Sequence, residues 1–182
     1  MRIILAAAVL AAASATPAFA QDAPAPASFS GGHVEVVGGY DSVHGAGDST
    51  GGVLYGIAGG YDFRTGGAVF GIEAEASEST TGQCIGTDCF DASRDLYVGG
   101  RLGAVVANNV LLYAKAGYTN ARFDITTGGL TDSGNLDGIR AGAGVEMALR
   151  NSPVSLRAEY RYSNYEGGVS RNQGLVGLGI RF

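Results

Sequence analysis

From residue 32 to the C-terminus, apolar positions recur at every second residue, the period of strands and not of helices. The alternation divides into eight runs, at about 33–42, 52–63, 67–78, 94–106, 110–123, 137–149, 153–163 and 174–182. Each run reaches the length of a tilted bilayer-crossing strand, for which about 9–11 residues suffice. The connections alternate too. Those after the second, fourth and sixth runs are very short: Arg64-Thr65-Gly66, Ala107-Asn108-Asn109 and Arg150-Asn151-Ser152. The others, near 43–51, 79–93, 124–136 and 164–172, are longer and rich in Gly, Ser, Thr, Asn and Asp. Short turns at one end and long loops at the other are the arrangement of a membrane barrel.

The two faces of these strands differ in kind. One reads Val53, Tyr55, Ile57, Tyr61, Phe63 in the second run and Ile139, Ala141, Ala143, Val145, Met147 in the sixth, and carries no charge through the middle of any run. The other holds Glu35, Glu73, Glu75, Arg101, Lys115, Arg140, Glu146, Arg157, Glu159, Arg161 and Arg181. A water-soluble barrel of the same size would bury its apolar face. Here that face has few large side chains to fill a core, whereas the charged face has both signs available for pairing. The pattern predicts an all-β, eight-stranded antiparallel up-and-down transmembrane barrel with lipid outside and charges inside. Outward Phe63, Phe70 and Phe182 fall at the turn end. Outward Tyr40, Tyr55, Tyr118, Tyr160 and Tyr162 fall at the loop end, as two interfacial belts would.

Composition sharpens this. Of 182 residues, 31 are Gly and only 16% are charged, while hydrophobic residues reach 46%. So much glycine argues against helices, where each interior Gly costs about 1 kcal/mol against Ala. Arg2, the apolar run Ile3 to Ala13 and the sequence Ala18-Phe19-Ala20 form a secretory signal peptide over 1–20. An Ala/Pro-rich periplasmic linker is expected over 21–31, and the barrel over 32–182. Cleavage after Ala20 would leave 11 basic and 17 acidic residues, so no nucleic-acid surface is expected. Cys84 and Cys89 are the only cysteines, and in an oxidising compartment they are expected to form a loop disulfide. No metal site or cofactor is expected, since four-ligand spacing is missing.

The chain ends Gly174-Leu175-Val176-Gly177-Leu178-Gly179-Ile180-Arg181-Phe182. A terminal Phe182 preceded by Val176, Leu178 and Ile180 at alternate positions resembles the last strand of Gram-negative outer-membrane proteins. In that group this strand is the signal read by the barrel-assembly machinery. The whole pattern resembles the small opacity-type "porin family" barrels, relatives of the outer-membrane protein A barrel. The resemblance implies a cell outer-membrane location, a monomer, external loops that meet any extracellular ligand, and contact with outer-membrane lipid and lipopolysaccharide. The peptidoglycan-binding domain of outer-membrane protein A is not expected, so wall anchoring is not carried over.

Register arithmetic gives candidate contacts. A turn at Asn151-Ser152 sets Glu146 opposite Arg157, Gly142 opposite Arg161 and Gly144 opposite Glu159. A turn at Thr65-Gly66 sets Ala58 opposite Glu73 and Gly56 opposite Glu75. A long charged side chain facing a small residue fills a narrow lumen without overpacking. Glu35 and Arg181 are expected to pair across the closing seam. The interior is therefore expected to be a salt-bridged plug, with a narrow water-filled path for small solutes as the alternative. Turn 107–109 sets Arg94 directly opposite Arg122 on the outside, an unfavourable pair unless an anion such as a lipopolysaccharide phosphate lies between them. Catalysis is not expected: His33 and His44 are the only histidines, and neither sits in a motif with a nucleophile. A structural or surface-interaction role follows, the external loops offering Asp48, Glu78, Asp88, Asp91, Asp124, Asp132 and Glu166 to cations or basic partners.

Overall fold

The computed structural model describes residues 29–45, 48–85, 88–127 and 130–182, with backbone alone at 45, 48–49, 82–85, 88–93, 123–127 and 130–132. The expected signal peptide and residues 21–28 of the expected linker lie outside these residues. The strands are β1 (Gly31–Gly45), β2 (Asp48–Thr65), β3 (Ala68–Ser79), β4 (Gly82–Ile85), β5 (Asp88–Ala107), β6 (Val110–Thr127), β7 (Leu130–Ala148), β8 (Val154–Tyr165) and β9 (Ser170–Arg181). All but β4 join one antiparallel ring in which each pairs with its chain neighbours, closed by β1 against β9 and β3 against β5. This is an eight-stranded up-and-down barrel. The short β4 folds back onto the outer end of β5.

The strands run further than hydropathy alone shows. β5 has 20 residues and β7 has 19, about twice what a bilayer crossing needs. The surplus lies at one end, in the stretches read above as loops. β1 and β2 stay paired to Gly45 and Asp48, and β6 and β7 to Thr127 and Leu130. These hairpins escape a hydropathy reading for a physical reason. Beyond the apolar band the hydropathy alternation fades in the sequence while the backbone ladder continues. At the opposite end the turns are tight. Gly66 takes φ +61° and Asn151 φ 59°, the left-handed backbone that Gly and Asn tolerate.

Burial is inverted relative to a soluble protein. Ile139 is 72% exposed and Leu102 66%, whereas Arg140 and Arg161 are fully buried. A continuous apolar exterior of this extent requires lipid. Outward Phe63 and Phe70 stack at 5.6 Å at the turn end. At the loop end, outward Tyr160 donates its hydroxyl to Asn172 at 2.7 Å, Tyr55 to Glu78 at 2.9 Å, and Tyr118 to Asp137. Apolar rings at one rim and hydrogen-bonded hydroxyls at the other mark the two lipid–water boundaries.

Three register expectations change. β2 and β3 pair with Gly60 opposite Glu73 and Ala58 opposite Glu75, two residues from the expected register, because the turn residues are Gly66 and Gly67. The left-handed φ falls on Gly66 as the first turn residue, and the partner of each glutamate remains small. Glu35 faces Gly179, and Arg181 faces His33, so Glu35 and Arg181 are not partners. Between Ala92 and Asp95 the β5–β6 ladder bulges, so Ser93 and Arg94 together oppose Arg122, and the direct Arg94–Arg122 pairing is lost. β7 and β8 pair with Glu146 opposite Arg157, Gly142 opposite Arg161 and Gly144 opposite Glu159.

Several glycines are seats for tyrosine rings. A Cβ on Gly144 would lie 2.6 Å from the Tyr113 hydroxyl, and one on Gly138 would lie 2.8 Å from the Tyr165 ring. Tyr113 and Tyr165 point inward and lie over neighbouring strands, which lets bulky rings occupy a narrow lumen.

Candidate functional site

The strand parity that turns Val, Ile and Leu to lipid turns every lumen charge to the axis. Among the described residues the interior holds Arg101, Lys115, Arg140, Arg157, Arg161, Arg171 and Arg181 against Glu35, Asp41, Asp62, Glu73, Glu75, Asp95, Glu146 and Glu159. They fall into tiers along the axis.

In the tier nearest the turn end, Asp62 of β2 and Glu146 of β7 stand on diametrically opposite strands. Arg101 of β5 reaches Asp62 through Nε at 2.7 Å and Glu146 at 3.1 Å. Arg181 of β9 reaches Glu146 at 2.6 Å and Asp62 as well. The result is a square of alternating charge, one member on every second strand. His33 joins it, with Nδ1 3.4 Å from Asp62 and Nε2 3.9 Å from Glu73.

In the middle, Glu73 of β3 accepts Arg157 of β8 at 2.7 Å, across the full diameter, and Lys115 of β6 at 2.7 Å. Arg157 also holds Glu35 at 2.9 Å. One step further out, Glu75 accepts Arg161 of β8 at 2.6 Å, a second rung between the same opposite walls. Lys115 bonds Glu159 at 2.8 Å, and Tyr113 donates to Glu159 at 2.6 Å. The Tyr113 ring lies 5.4 Å from the Arg101 guanidinium and 6.0 Å from that of Arg157. Tyr97 lies beneath Lys115 at 4.8 Å and Arg140 at 5.3 Å. His33, Glu35 and Glu73 approach closely enough to suggest a metal cage. Arg157 already bridges the two glutamates, however, so protein cations fill that role.

The outermost tier joins Arg140 to Asp95, and Arg171 of β9 to Asp41 and, at 3.3 Å, to Asp95 of the opposite strand β5. Ser79 and Thr81 donate to Asp41 at 2.8 and 3.1 Å, Thr119 to Asp95 at 2.7 Å, and Tyr165 to Asp95 at 3.0 Å. Asp41, Asp62, Asp95 and Arg171 are absent from the sequence-derived set. The missed signal is parity: each shares the odd or even numbering of the lumen face of its strand.

The remaining expected site residues lie elsewhere. Arg94 is half-buried near the outer rim, opposite Glu78 of β3. Exposed Arg122 donates to Ser133 at 2.8 Å. Val176, Leu178, Ile180 and Phe182 all face lipid, and the Phe182 amide donates to the Gly32 carbonyl at 2.9 Å. Cys84 and Cys89 are register partners in the β4–β5 hairpin, where the backbone alone is described. His44 is exposed at the outer end of β1.

A closed antiparallel barrel with a lipid-facing wall, two interfacial rims and a charged interior defines a small outer-membrane β-barrel protein. The chain belongs to the outer membrane protein beta-barrel domain family, whose model matches residues 5–182. Among solved structures it resembles Neisserial surface protein A, with 19% identity, a TM-score of 0.65, and coverage of 84% of this chain and 98% of that one. It also resembles Ail, the attachment invasion locus protein of Yersinia pestis, solved in complex with the heparin analogue sucrose octasulfate (18%, TM-score 0.63, coverage 84% and 99%). The N-terminal β-barrel domain of Pseudomonas aeruginosa OprF is a more distant likeness (13%, TM-score 0.50, coverage 83% and 99%). At these identities the likeness is one of fold. No curated protein matches the chain by sequence.

Proposed function

We propose that this outer-membrane barrel is a non-conducting structural protein whose protruding hairpins interact with molecules outside the cell. The observation that carries the reading is the pair of rungs Glu73–Arg157 and Glu75–Arg161, which tie β3 to β8 across the lumen. Opening a path along the axis means breaking charge-assisted hydrogen bonds away from bulk water, which leaves buried charges unpaired. Liposomes carrying the refolded protein should not swell in iso-osmotic small sugars. Swelling at the rate of a porin would overturn the reading.

The second reading, a narrow water-filled path, has one observation in its favour. Arg157 Nε and Nη2, Arg161 Nη2 and the Tyr97 hydroxyl are buried without a protein partner, and such groups call for water. A few isolated waters beside the rungs would satisfy these atoms without joining into a channel.

At the surface, the outer segments carry Asp48, Glu78, Asp88, Asp91, Asp124, Asp132 and Glu166, which suits basic or cation-bridged partners. A polyanion such as the heparin analogue seen with Ail is a poorer match to this charge. Arg94 and Arg122 suit lipopolysaccharide phosphate at the outer leaflet, since both lie at the bulge of the β5–β6 ladder. The cross-strand register of Cys84 and Cys89 supports a disulfide that ties the β4–β5 hairpin. The apolar C-terminal strand ending in Phe182 suits recognition by the barrel-assembly machinery. The signal peptide, the opacity-type role and a monomeric state complete the proposal.

A further inference from the structure

Phe29 is the only large apolar residue between Asp22 and His33, in a stretch otherwise made of Ala, Pro, Ser and Gly. Such a stretch would be expected to hang free in the periplasm. Phe29 is instead fully buried, in a cluster with Val69, Leu111, Tyr113 and Ala148. Val69 is the second residue of β3, Leu111 the second of β6, and Ala148 the last of β7. The cluster is therefore an apolar collar inside the turn-end mouth, below the square of Asp62, Arg101, Glu146 and Arg181. The Arg181 guanidinium lies 5.4 Å from the centre of the Phe29 ring.

The backbone explains how the ring arrives there. Gly31 takes φ +106°, which only glycine adopts readily, and a Cβ there would collide with the carbonyl oxygen of Phe182. A Cβ on Gly32 would lie 2.6 Å from the Phe182 ring. The positive φ at Gly31 lets the chain pass the C-terminal residue, residue 29 keeps the odd-numbered lumen side of β1, and the Ser30 hydroxyl donates to the Asp62 carbonyl at 3.5 Å.

We propose that residues 29–31 form a built-in stopper: Gly31 lets the chain pass Phe182, and the Phe29 ring seals the periplasmic mouth of the barrel from within. An apolar collar without this ring would face water, and its burial is what holds the segment in place. Two layers then separate the periplasm from the upper lumen, the aromatic stopper and the charged tiers. The inference concerns where residue 29 sits, and it stands whether or not the charged tiers pass solutes.

The chain has no Trp, so Phe29→Trp creates a single reporter at the position in question. In the full chain refolded into liposomes, its emission should be blue-shifted. It should resist both aqueous iodide and nitroxide-labelled lipid, because a lumen site is remote from each. Iodide quenching equal to that of the urea-unfolded chain would overturn the stopper, and so would strong quenching by labelled lipid, which would put the ring on the outer rim. A second arm removes the ring. With Cys84→Ser and Cys89→Ser, Ala148→Cys should react slowly with a membrane-impermeant maleimide, and at least severalfold faster when Phe29→Ala is added. Equal rates in two folded, heat-modifiable barrels would contradict the proposal. If Phe29→Ala does not fold, the tryptophan measurement decides alone.

Discussion

Asp62 and Glu146 lie on diametrically opposite strands and are joined through two guanidiniums, Arg101 and Arg181, each of which touches both carboxylates. Asp62→Ala would leave both arginines short of a counter-charge in a buried site. Losing one partner of a buried pair costs about 3–5 kcal/mol, so the unfolding midpoint in denaturant should fall sharply, with heat-modifiable gel mobility confirming the fold. An exposed acid such as Glu166, changed to Ala, serves as the control and should shift stability by about 0.5 kcal/mol or less.

The rung between Glu75 and Arg161 can be isolated by a double-mutant cycle. Glu75→Leu and Arg161→Met each strand a charge, while the double variant removes both and leaves apolar groups of similar volume. The double variant should be more stable than either single, with a coupling energy of about 1–3 kcal/mol by equilibrium unfolding. Additive losses would show that the two side chains do not act as a pair.

Gly144 is a seat for Tyr113, so Gly144→Leu should drive side chain against ring. Overpacking of this kind costs about 1–3 kcal/mol. Adding Tyr113→Ala should recover part of that loss, measured by the same unfolding curves. The recovery will be incomplete because Glu159 then loses its hydroxyl donor.

Arg94→Ala with Arg122→Ala tests the phosphate assignment. The pair should lower thermal stability in bilayers containing lipopolysaccharide and leave it unchanged in phospholipid alone. Equal shifts in both membranes would assign the arginines to the protein's own contacts, such as Arg122 with Ser133.

Much of this barrel is written in two-residue periodicity. The apolar parity of the eight barrel strands separates lipid wall from lumen because a membrane barrel places opposite demands on alternate residues. The same parity rule covers Asp41, Asp62 and Asp95, which lie within the predicted runs near their ends; beyond the runs the surrounding hydropathy fades and parity is lost. Arg171 lies in such a faded region, where only backbone pairing extends β9. The β2–β3 register turns on which glycine takes a positive φ, and Gly66 and Gly67 do not differ in sequence terms. Phe29 lacked any periodic context, since its partners Val69, Leu111 and Ala148 come together only when the barrel closes. The cross-lumen partners are likewise invisible to neighbour pairing: β3 and β8 never touch as strands, and only ring closure sets Glu73 against Arg157.

Single-channel recording in a planar bilayer asks whether the cross-lumen pairs close the barrel. The purified, folded protein should give no stable conductance steps, and the combined changes Glu73→Gly, Glu75→Gly, Arg157→Gly and Arg161→Gly, with Phe29→Ala, should produce them. Large stable steps from the unaltered protein would contradict the account.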